Sequence, residues 1–313
     1  MGRRSRTKSR DQAPAAAGEV GPRQPCPCGS GRRYKACHGA PGGAAPVFVA
    51  RPFEGLPSEC DVVALRELVP SATAPLPLVG EHADRTVKLV TLLPMAAPAM
   101  VREDGEIWLA LQVVHNFGDP ARDLGAVLTA ALAQAEPGIV GLTDDPGEGP
   151  RRQDLVDDTP LDITVHEGFD WWVADVPDAP DLVGALEDAN AAVNPTDRLT
   201  SVPAAYWTDV STKEHLRWVM PEPEGPLLDA LARLHADGKD VLVPDSRFVG
   251  MFRAHGLLTP VWDIPLGTGA EAQEEPAERF AADLAAALAD DSPLTPEQRS
   301  ARNGLANRQV TIR

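Results

Sequence analysis

Cys26, Cys28, Cys37 and His38 stand within one short stretch, Pro25-Cys26-Pro27-Cys28-Gly29-Ser30-Gly31-Arg32-Arg33-Tyr34-Lys35-Ala36-Cys37-His38-Gly39. Structural Zn²⁺ sites take four such donors, thiolates and imidazoles, in a tetrahedron. The Cys-x-Cys pair offers two thiolates from one tight turn, in which Gly29 and Gly31 permit the positive φ angles that other residues avoid. Ser30 is placed to cap a short helix over 32–37, whose end delivers Cys37 and His38. Gly39 then lets the chain leave in a left-handed conformation. Three thiolates and a neutral imidazole leave the metal centre with one net negative charge, which Arg32, Arg33 and Lys35 offset. A segment this short buries no hydrophobic core, so the metal must supply the folding energy.

This segment closely resembles the SEC-C motif, the zinc-binding module found at the C-terminus of the SecA translocation ATPase and on many otherwise unrelated bacterial proteins. The resemblance rests on Cys26, Cys28, Gly29, Ser30, Gly31, Tyr34, Lys35, Cys37, His38 and Gly39. His38 is within pattern, because the fourth ligand in that family is Cys or His. The resemblance implies one structural Zn²⁺ and docking to a partner protein or to the ribosome. Tyr34 is expected to pack over the zinc site. The motif stands here in the N-terminal part of the chain. No Gly-x-x-x-x-Gly-Lys-Ser/Thr loop occurs in the sequence, so translocation ATPase activity is not implied.

Charge is divided along the chain. The 313 residues carry a net charge of −17. Residues 1–40 hold Arg3, Arg4, Arg6, Lys8, Arg10, Arg23, Arg32, Arg33 and Lys35 against Asp11 and Glu19, a net of +7, and residues 292–313 hold a net of +3. The stretch between them carries −27. A polyanion is therefore repelled by the middle and attracted by the ends. Arg3, Arg4, Arg6, Lys8, Arg10, Arg32, Arg33, Tyr34 and Lys35 are the candidate contacts to a nucleic acid or partner. Cations on a flexible arm gain affinity by releasing counterions from phosphates, and Tyr34 offers a ring for base stacking. The expected partner is a ribosome, an RNA or a protein-handling factor. An adaptor for secretion chaperones is an alternative suggested only by the motif's place in SecA. No apolar run approaches the roughly 20 residues that span a bilayer, and no apolar segment follows the charged start as in a secretory signal. The cysteine usage suits a reducing compartment. A cytoplasmic protein without membrane contact is expected.

The elements that carry this module read as follows. Residues 1–24 form a disordered basic arm, 25–39 the zinc module and 40–46 a linker. Residues 47–266 form an α+β body, a mixed sheet with packed helices, in which 106–138 and 214–238 share an order of strand, Pro/Gly loop, apolar helix and Gly, as two similar halves over 47–143 and 161–266 would. Ser58 is an N-cap candidate for a helix over 59–69. Strands are expected at 86–93 and 106–115, joined by a segment holding the turn signal Glu103-Asp104-Gly105. A helix follows over 122–135, then an exposed acidic loop over 144–160. Further strands are expected at 161–166 and 169–176, the latter placing Trp171 and Trp172 on opposite faces. Then come a helix over 180–193, a strand at 215–220, a helix over 226–237 closed by Gly238, and short strands at 240–244 and 260–264. A second linker spans 267–276. An amphipathic helix over 276–290 presents Phe280, Leu284 and Leu288, and 291–313 form a frayed basic tail.

Little in the body points to catalysis. The histidines outside the module, His82, His115, His166, His215, His235 and His255, are spread too far apart for a helical metal pair. Cys60 sits in the first turn of a predicted helix and reads as structural. No Gly-x-Ser-x-Gly elbow or dinucleotide fingerprint is present. His166, Glu167 and Asp170, at the end of a predicted strand, are where a hydrolase or transferase site would be sought. As a whole, a SEC-C knuckle before an Ala/Pro-rich acidic body is similar to an uncharacterised family from high-GC Gram-positive, actinobacterial-type bacteria, a resemblance that implies no activity.

Overall fold

The computed structural model describes residues 22–24, 33–36, 48–113, 117–141, 146–147, 149–174 and 180–308. Residues 1–21 of the basic arm, the linker at 40–46, Arg32 and all four candidate zinc ligands lie outside the described residues.

Val62, Val63, Ala64 and Leu65 follow one another in the first helix, α1 (Glu59–Glu67), and all four are buried. A helix packed on one side buries a stripe, not a continuous run, so α1 must be covered from several directions. Two sheets do this. The first comprises β1 (Ala72–Pro75), β2 (Val87–Val90), β3 (Ala99–Val101), β4 (Ile107–Ala110), β5 (Gly138–Val140) and β6 (Thr164–Val165), in the order β5-β3-β4-β2-β1-β6. Within it β2 and β4 run parallel and the other neighbours antiparallel. Helices α2 (Pro120–Ala133) and α3 (Pro180–Ala191) accompany it. The second sheet is antiparallel throughout: β7 (Thr196–Arg198), β8 (Ala205–Asp209), β9 (Glu214–Trp218), β10 (Arg247–Ala254) and β11 (Leu257–Ile264), in the order β10-β11-β9-β8-β7. Helices α4 (Glu224–Ala236), α5 (Glu274–Leu288) and α6 (Pro296–Asn307) complete the chain.

The period-2 alternation of the strands sorts their side chains into layers. Leu89, Ile107 and Leu109 of the first sheet and Tyr206, Leu257 and Val261 of the second share one core with α1 and with Leu124, Val127 and Leu128 of α2. The other face of the first sheet, with Val90, Trp108 and Ala110, is covered by Phe169, Trp172 and α3. On the second sheet, Leu216, Trp218 and Trp262 face α4, α5 and α6 through Leu227, Leu231, Phe280, Leu284 and Leu305. The α+β class expected from the sequence is the class observed. Among the described residues no helix is long and apolar enough to cross a membrane.

Several elements differ from expectation for local reasons. The segment joining the strands expected at 86–93 and 106–115 holds a further strand, β3, and the Glu103-Asp104-Gly105 turn closes the β3–β4 hairpin, with Gly105 at φ +85°. Of the strand expected at 169–176, the described residues 169–174 are not a strand: Asp170–Trp172 form a 3₁₀ turn, because Phe169, Trp171 and Trp172 pack on each other with ring centroids 4.6 to 6.1 Å apart. The two indoles therefore do not lie on opposite strand faces. The described part of the acidic loop is not simply exposed. Arg152–Asp154 form a 3₁₀ turn against α2, Arg152 is buried, and Val156 bridges to Leu78. Residues 240–244 form no strand; the hydroxyl of Ser246 accepts from the N–H groups of Leu242 and Val243 instead. Ser58 precedes α1 without capping it, since its hydroxyl accepts the N–H of Leu161 at 2.8 Å. Gly238 behaves as expected. At φ +68° it donates to His235 O, and Lys239 N–H reaches Leu234 O at 2.8 Å, a Schellman closure of α4. Residues 267–276 are pinned, not loose: the buried carboxylate of Glu214 accepts from Gly267 N–H at 2.5 Å and Gly269 N–H at 2.9 Å. The segment read as a frayed tail holds α6, which starts with a capping box between Thr295 and Gln298.

Candidate functional sites: the zinc module and a cleft between the sheets

The described part of the cysteine module is its root. Tyr34–Ala36 form a 3₁₀ turn, Tyr34 N–H donates to Gln24 O at 2.8 Å, and Lys35 N–H donates to Pro22 O at 3.0 Å. This clip ties the segment just before Cys26 to the segment just before Cys37. Cys26 follows Gln24 by two residues and Cys37 follows Tyr34 by three. At no more than about 3.6 Å per residue, both ligand pairs start within one short reach of the same point. That is what a four-donor site drawn from two segments requires, and Cys₃His is a zinc donor set. Arg33 and Lys35 are exposed and Tyr34 is half-buried, so the two cations face solvent beside the expected site. Cys26, Cys28, Cys37 and His38, and the arm cations Arg3, Arg4, Arg6, Lys8 and Arg10, lie outside the described residues. Among the described residues no group of His, Cys, Asp and Glu is arranged to hold a metal.

His166, Glu167 and Asp170 are not brought into one constellation. His166 bonds the Thr73 hydroxyl at 2.9 Å and lies 6.0 Å from the Trp171 ring, and burial lowers its pKa. Glu167 is exposed, and the Asp170 carboxylate accepts from Asn190 at 3.5 Å. Among the described residues these three share no hydrogen bond or ion pair. Cys60 is no nucleophile at neutral pH: burial, with Glu59 and Asp61 beside it, pushes its thiol up to about 12. As expected it packs against the core.

A more developed polar site lies where the two sheets meet. The end of α1 and the following turn (Arg66 to Pro70), Gln112 beyond β4, and Asn194, Thr196, Thr208 and Arg217 around β7 to β9 line a cleft of about 220 Å³. Strand pairing sets its floor. Thr196 lies opposite Thr208, and Arg217 lies opposite Tyr206 two residues along the same face. Arg66 is held by its N–H to Leu111 O at 2.5 Å, with Glu67 at 3.6 Å as its nearest carboxylate. Glu67 is itself taken by His255 at 2.8 Å. Gln112 donates to Leu65 O and Val69 O, both at 2.8 Å, and so covers one carbonyl at the end of α1 and one just beyond it. Among the described residues the Arg217 guanidinium has no hydrogen bond or ion pair, and burial lowers its pKa and that of Arg66. The residue types of this cleft gave no signal in the sequence. They come from four elements spread over more than a hundred residues, and each alone reads as ordinary surface.

The seam beside the cleft is locked by Asp61, whose carboxylate accepts the Tyr206 hydroxyl at 2.7 Å and both Nε and Nη2 of Arg198 at 3.1 and 3.3 Å. The cleft is thus framed by fixed elements on both sides.

Two family matches divide the chain where composition divides it. Residues 23–40 match the SEC-C motif. Residues 52–313 match the family described as "Family of unknown function (DUF5926)". No solved structure matches the chain. The chain carries a SEC-C motif ahead of an acidic α+β body, and by the match that covers that body it belongs to the DUF5926 family.

Proposed function

We propose that this is a zinc-binding interaction protein whose SEC-C module and basic arm dock the acidic body onto RNA, with the ribosome as the expected carrier of that RNA. Cys26, Cys28, Cys37 and His38 hold one structural Zn²⁺. The ion fixes the module as a small rigid head presenting Arg33 and Lys35, and Arg3, Arg4, Arg6, Lys8 and Arg10 add further positive charge on its N-terminal side. The observation that carries this reading is the division of charge, +7 on residues 1–40 against −27 on the stretch that follows. An arm that neutralises phosphates gains affinity from counterion release, whereas the body is repelled. The described root of the module supports it, since the exposed Arg33 and Lys35 stand on the clip that roots both ligand pairs.

Co-sedimentation of the zinc-loaded protein with ribosomes over a salt series tests this reading. Each phosphate contact steepens the log–log salt slope by about 0.7 to 0.9. Replacing Arg3, Arg4, Arg6, Lys8 and Arg10 by Ser should therefore flatten the slope by as much as about 4. Cys28→Ser should abolish binding. Binding that ignores salt would point to a protein partner. Binding that survives both changes would end the proposal.

A further inference from the structure

We propose that the cleft between the end of α1 and strands β7 to β9 binds a small oxyanion of the phosphate class, held by Arg217 and Arg66. This inference is independent of the zinc module and concerns the body alone.

The observation that starts it is an arginine without a carboxylate in a body rich in carboxylates. Between residues 41 and 291 the chain holds 43 acidic and 16 basic residues. Arginines there find partners readily: Arg51 with Glu59, Arg198 with Asp61, Arg151 with Asp119, Arg253 with Glu224. Arg217 does not, although it sits half-buried on a strand face where a carboxylate opposite would have been simple to place. Tyr206 and Val261, uncharged, occupy the paired positions instead. The carboxylate of the next row on that face is taken elsewhere, because Asp263 pairs with Lys213 at 2.8 Å and Arg247 at 3.5 Å. Within the cleft the one carboxylate, Glu67, is turned to His255.

What remains in the cleft is donor-rich. Two guanidiniums present forked N–H groups, the geometry that matches phosphate and carboxylate oxygens two at a time. Thr208 adds a hydroxyl that can turn into the cleft from its long 3.3 Å contact with the Thr196 hydroxyl, whose own hydrogen is committed to Asn194 O at 2.9 Å. Of the carbonyls that face an anion there, Gln112 caps Leu65 O at the end of α1 and Val69 O just beyond it. Donors from several directions favour a tetrahedral oxyanion over a planar carboxylate. The volume, about 220 Å³, is below the range of clefts that take drug-sized ligands and suits inorganic phosphate or a small monoester. The −27 net charge of the surrounding chain does not override this. Beyond about 8 Å those charges are screened at physiological salt, whereas the two guanidiniums act at contact.

The test uses the full-length zinc-loaded protein in chloride buffer of constant ionic strength, titrated calorimetrically with inorganic phosphate and separately with glycerol phosphate. One saturable site is expected, and the tighter of the two ligands identifies the source as free phosphate or a monoester. Arg217→Met removes one charge-assisted fork and should weaken binding about 10- to 100-fold while leaving the unliganded unfolding midpoint nearly unchanged. Thr208→Val keeps the side-chain shape and should weaken it about 2- to 10-fold. The basic arm is intact in both variants, so phosphate captured by the arm would bind them as well as the parent protein. Undiminished binding by Arg217→Met, or the absence of saturable binding to the parent at ~10 mM, overturns the proposal. Should Arg217→Met fail to fold, undiminished binding by Thr208→Val does the same.

Discussion

Asp61→Ala is the perturbation that most directly tests how the two sheets are held. Asp61 lies in α1 and is 6% exposed, while Tyr206 on β8 is 1% exposed. Burial, with Asp61 beside it, holds the Tyr206 hydroxyl well above the ordinary tyrosine value, so it remains a proton donor throughout the working range. Burial tends to lower the Arg198 guanidinium, but the bond to Asp61 outweighs it and the net shift is upward. Removing the carboxylate strands the Tyr206 hydroxyl in the core, at about 1–3 kcal/mol. Arg198 loses a pair too, but its side chain is 29% exposed and can turn toward water, so that loss is about 1 kcal/mol. The expected total is about 2–4 kcal/mol. Tyr206→Phe alone should cost about 1–2 kcal/mol, because the Asp61–Arg198 pair survives.

The decisive quantity is the coupling. With Asp61 already Ala, Tyr206→Phe removes a hydroxyl that has lost its acceptor and should cost almost nothing, a coupling of about 1–2 kcal/mol. Urea unfolding read by tryptophan fluorescence reports it. Trp108, Trp171 and Trp172 lie on the first sheet's outer face, and Trp207, Trp218 and Trp262 lie on or beside the second. If Tyr206→Phe costs the same in both backgrounds, or Asp61→Ala loses less than about 1 kcal/mol, the seam is not held in the way described.

Other expectations follow from single positions. A Cβ at Gly125 of α2 would stand 2.2 Å from Pro150 O, so Gly125→Ala should destabilise by about 2 kcal/mol or more despite a helix-propensity gain of about 1 kcal/mol, as measured by thermal unfolding. Arg152 is buried without a hydrogen-bond partner at Nε and Nη1, and burial brings its guanidinium down to about 10; Arg152→Met should be neutral or raise the urea midpoint. His166 has a folded-state pKa below its unfolded value, so the unfolded chain takes up the proton first and the contribution of His166 to stability, complete above about pH 6.5, falls away as pH drops through the folded value; His166→Gln should flatten the stability profile between about pH 7 and 5. Removing zinc with a chelator should abolish partner binding yet leave the body's unfolding midpoint unchanged, because both large cores lie within residues 53–305.

The sequence was most legible where structure is local. Leu124, Val127 and Leu128 recur at helical spacing and give α2, and Phe280, Leu284 and Leu288 do the same for α5. Gly238 announces the end of α4 because only glycine enters a left-handed C′ position without strain. The SEC-C motif is legible for the same reason, since its Cys and His residues sit on one short stretch. Strands of three to five residues such as β3, β5, β7 and β8 offer too few positions for alternation to be read. β10 is longer but carries a register shift between Phe248 and Gly250 that breaks its period. Trp171-Trp172 has the β-propensity of a strand, and aromatic packing on Trp108 overrode it. The cleft was invisible because Arg66 and Arg217 come together only when α1 lies between the sheets.

Among the described residues Arg152 and Arg217 of the body both lack a carboxylate, and the space around each decides what that means. Arg152 is enclosed, beside a void of about 10 Å³, the least that holds a single water. No solute can reach it, so its charge is a burden on stability that packing has tolerated. Arg217 faces an open cleft of about 220 Å³ lined by a second arginine and by hydroxyls. There the missing carboxylate leaves room for an anion from outside, and desolvation of both guanidiniums strengthens whatever they bind. On the readings proposed, the basic arm and the cleft both offer positive charge to phosphate from an otherwise repelling chain, the arm to a polyanion along its length and the cleft to one small ion at a fixed point.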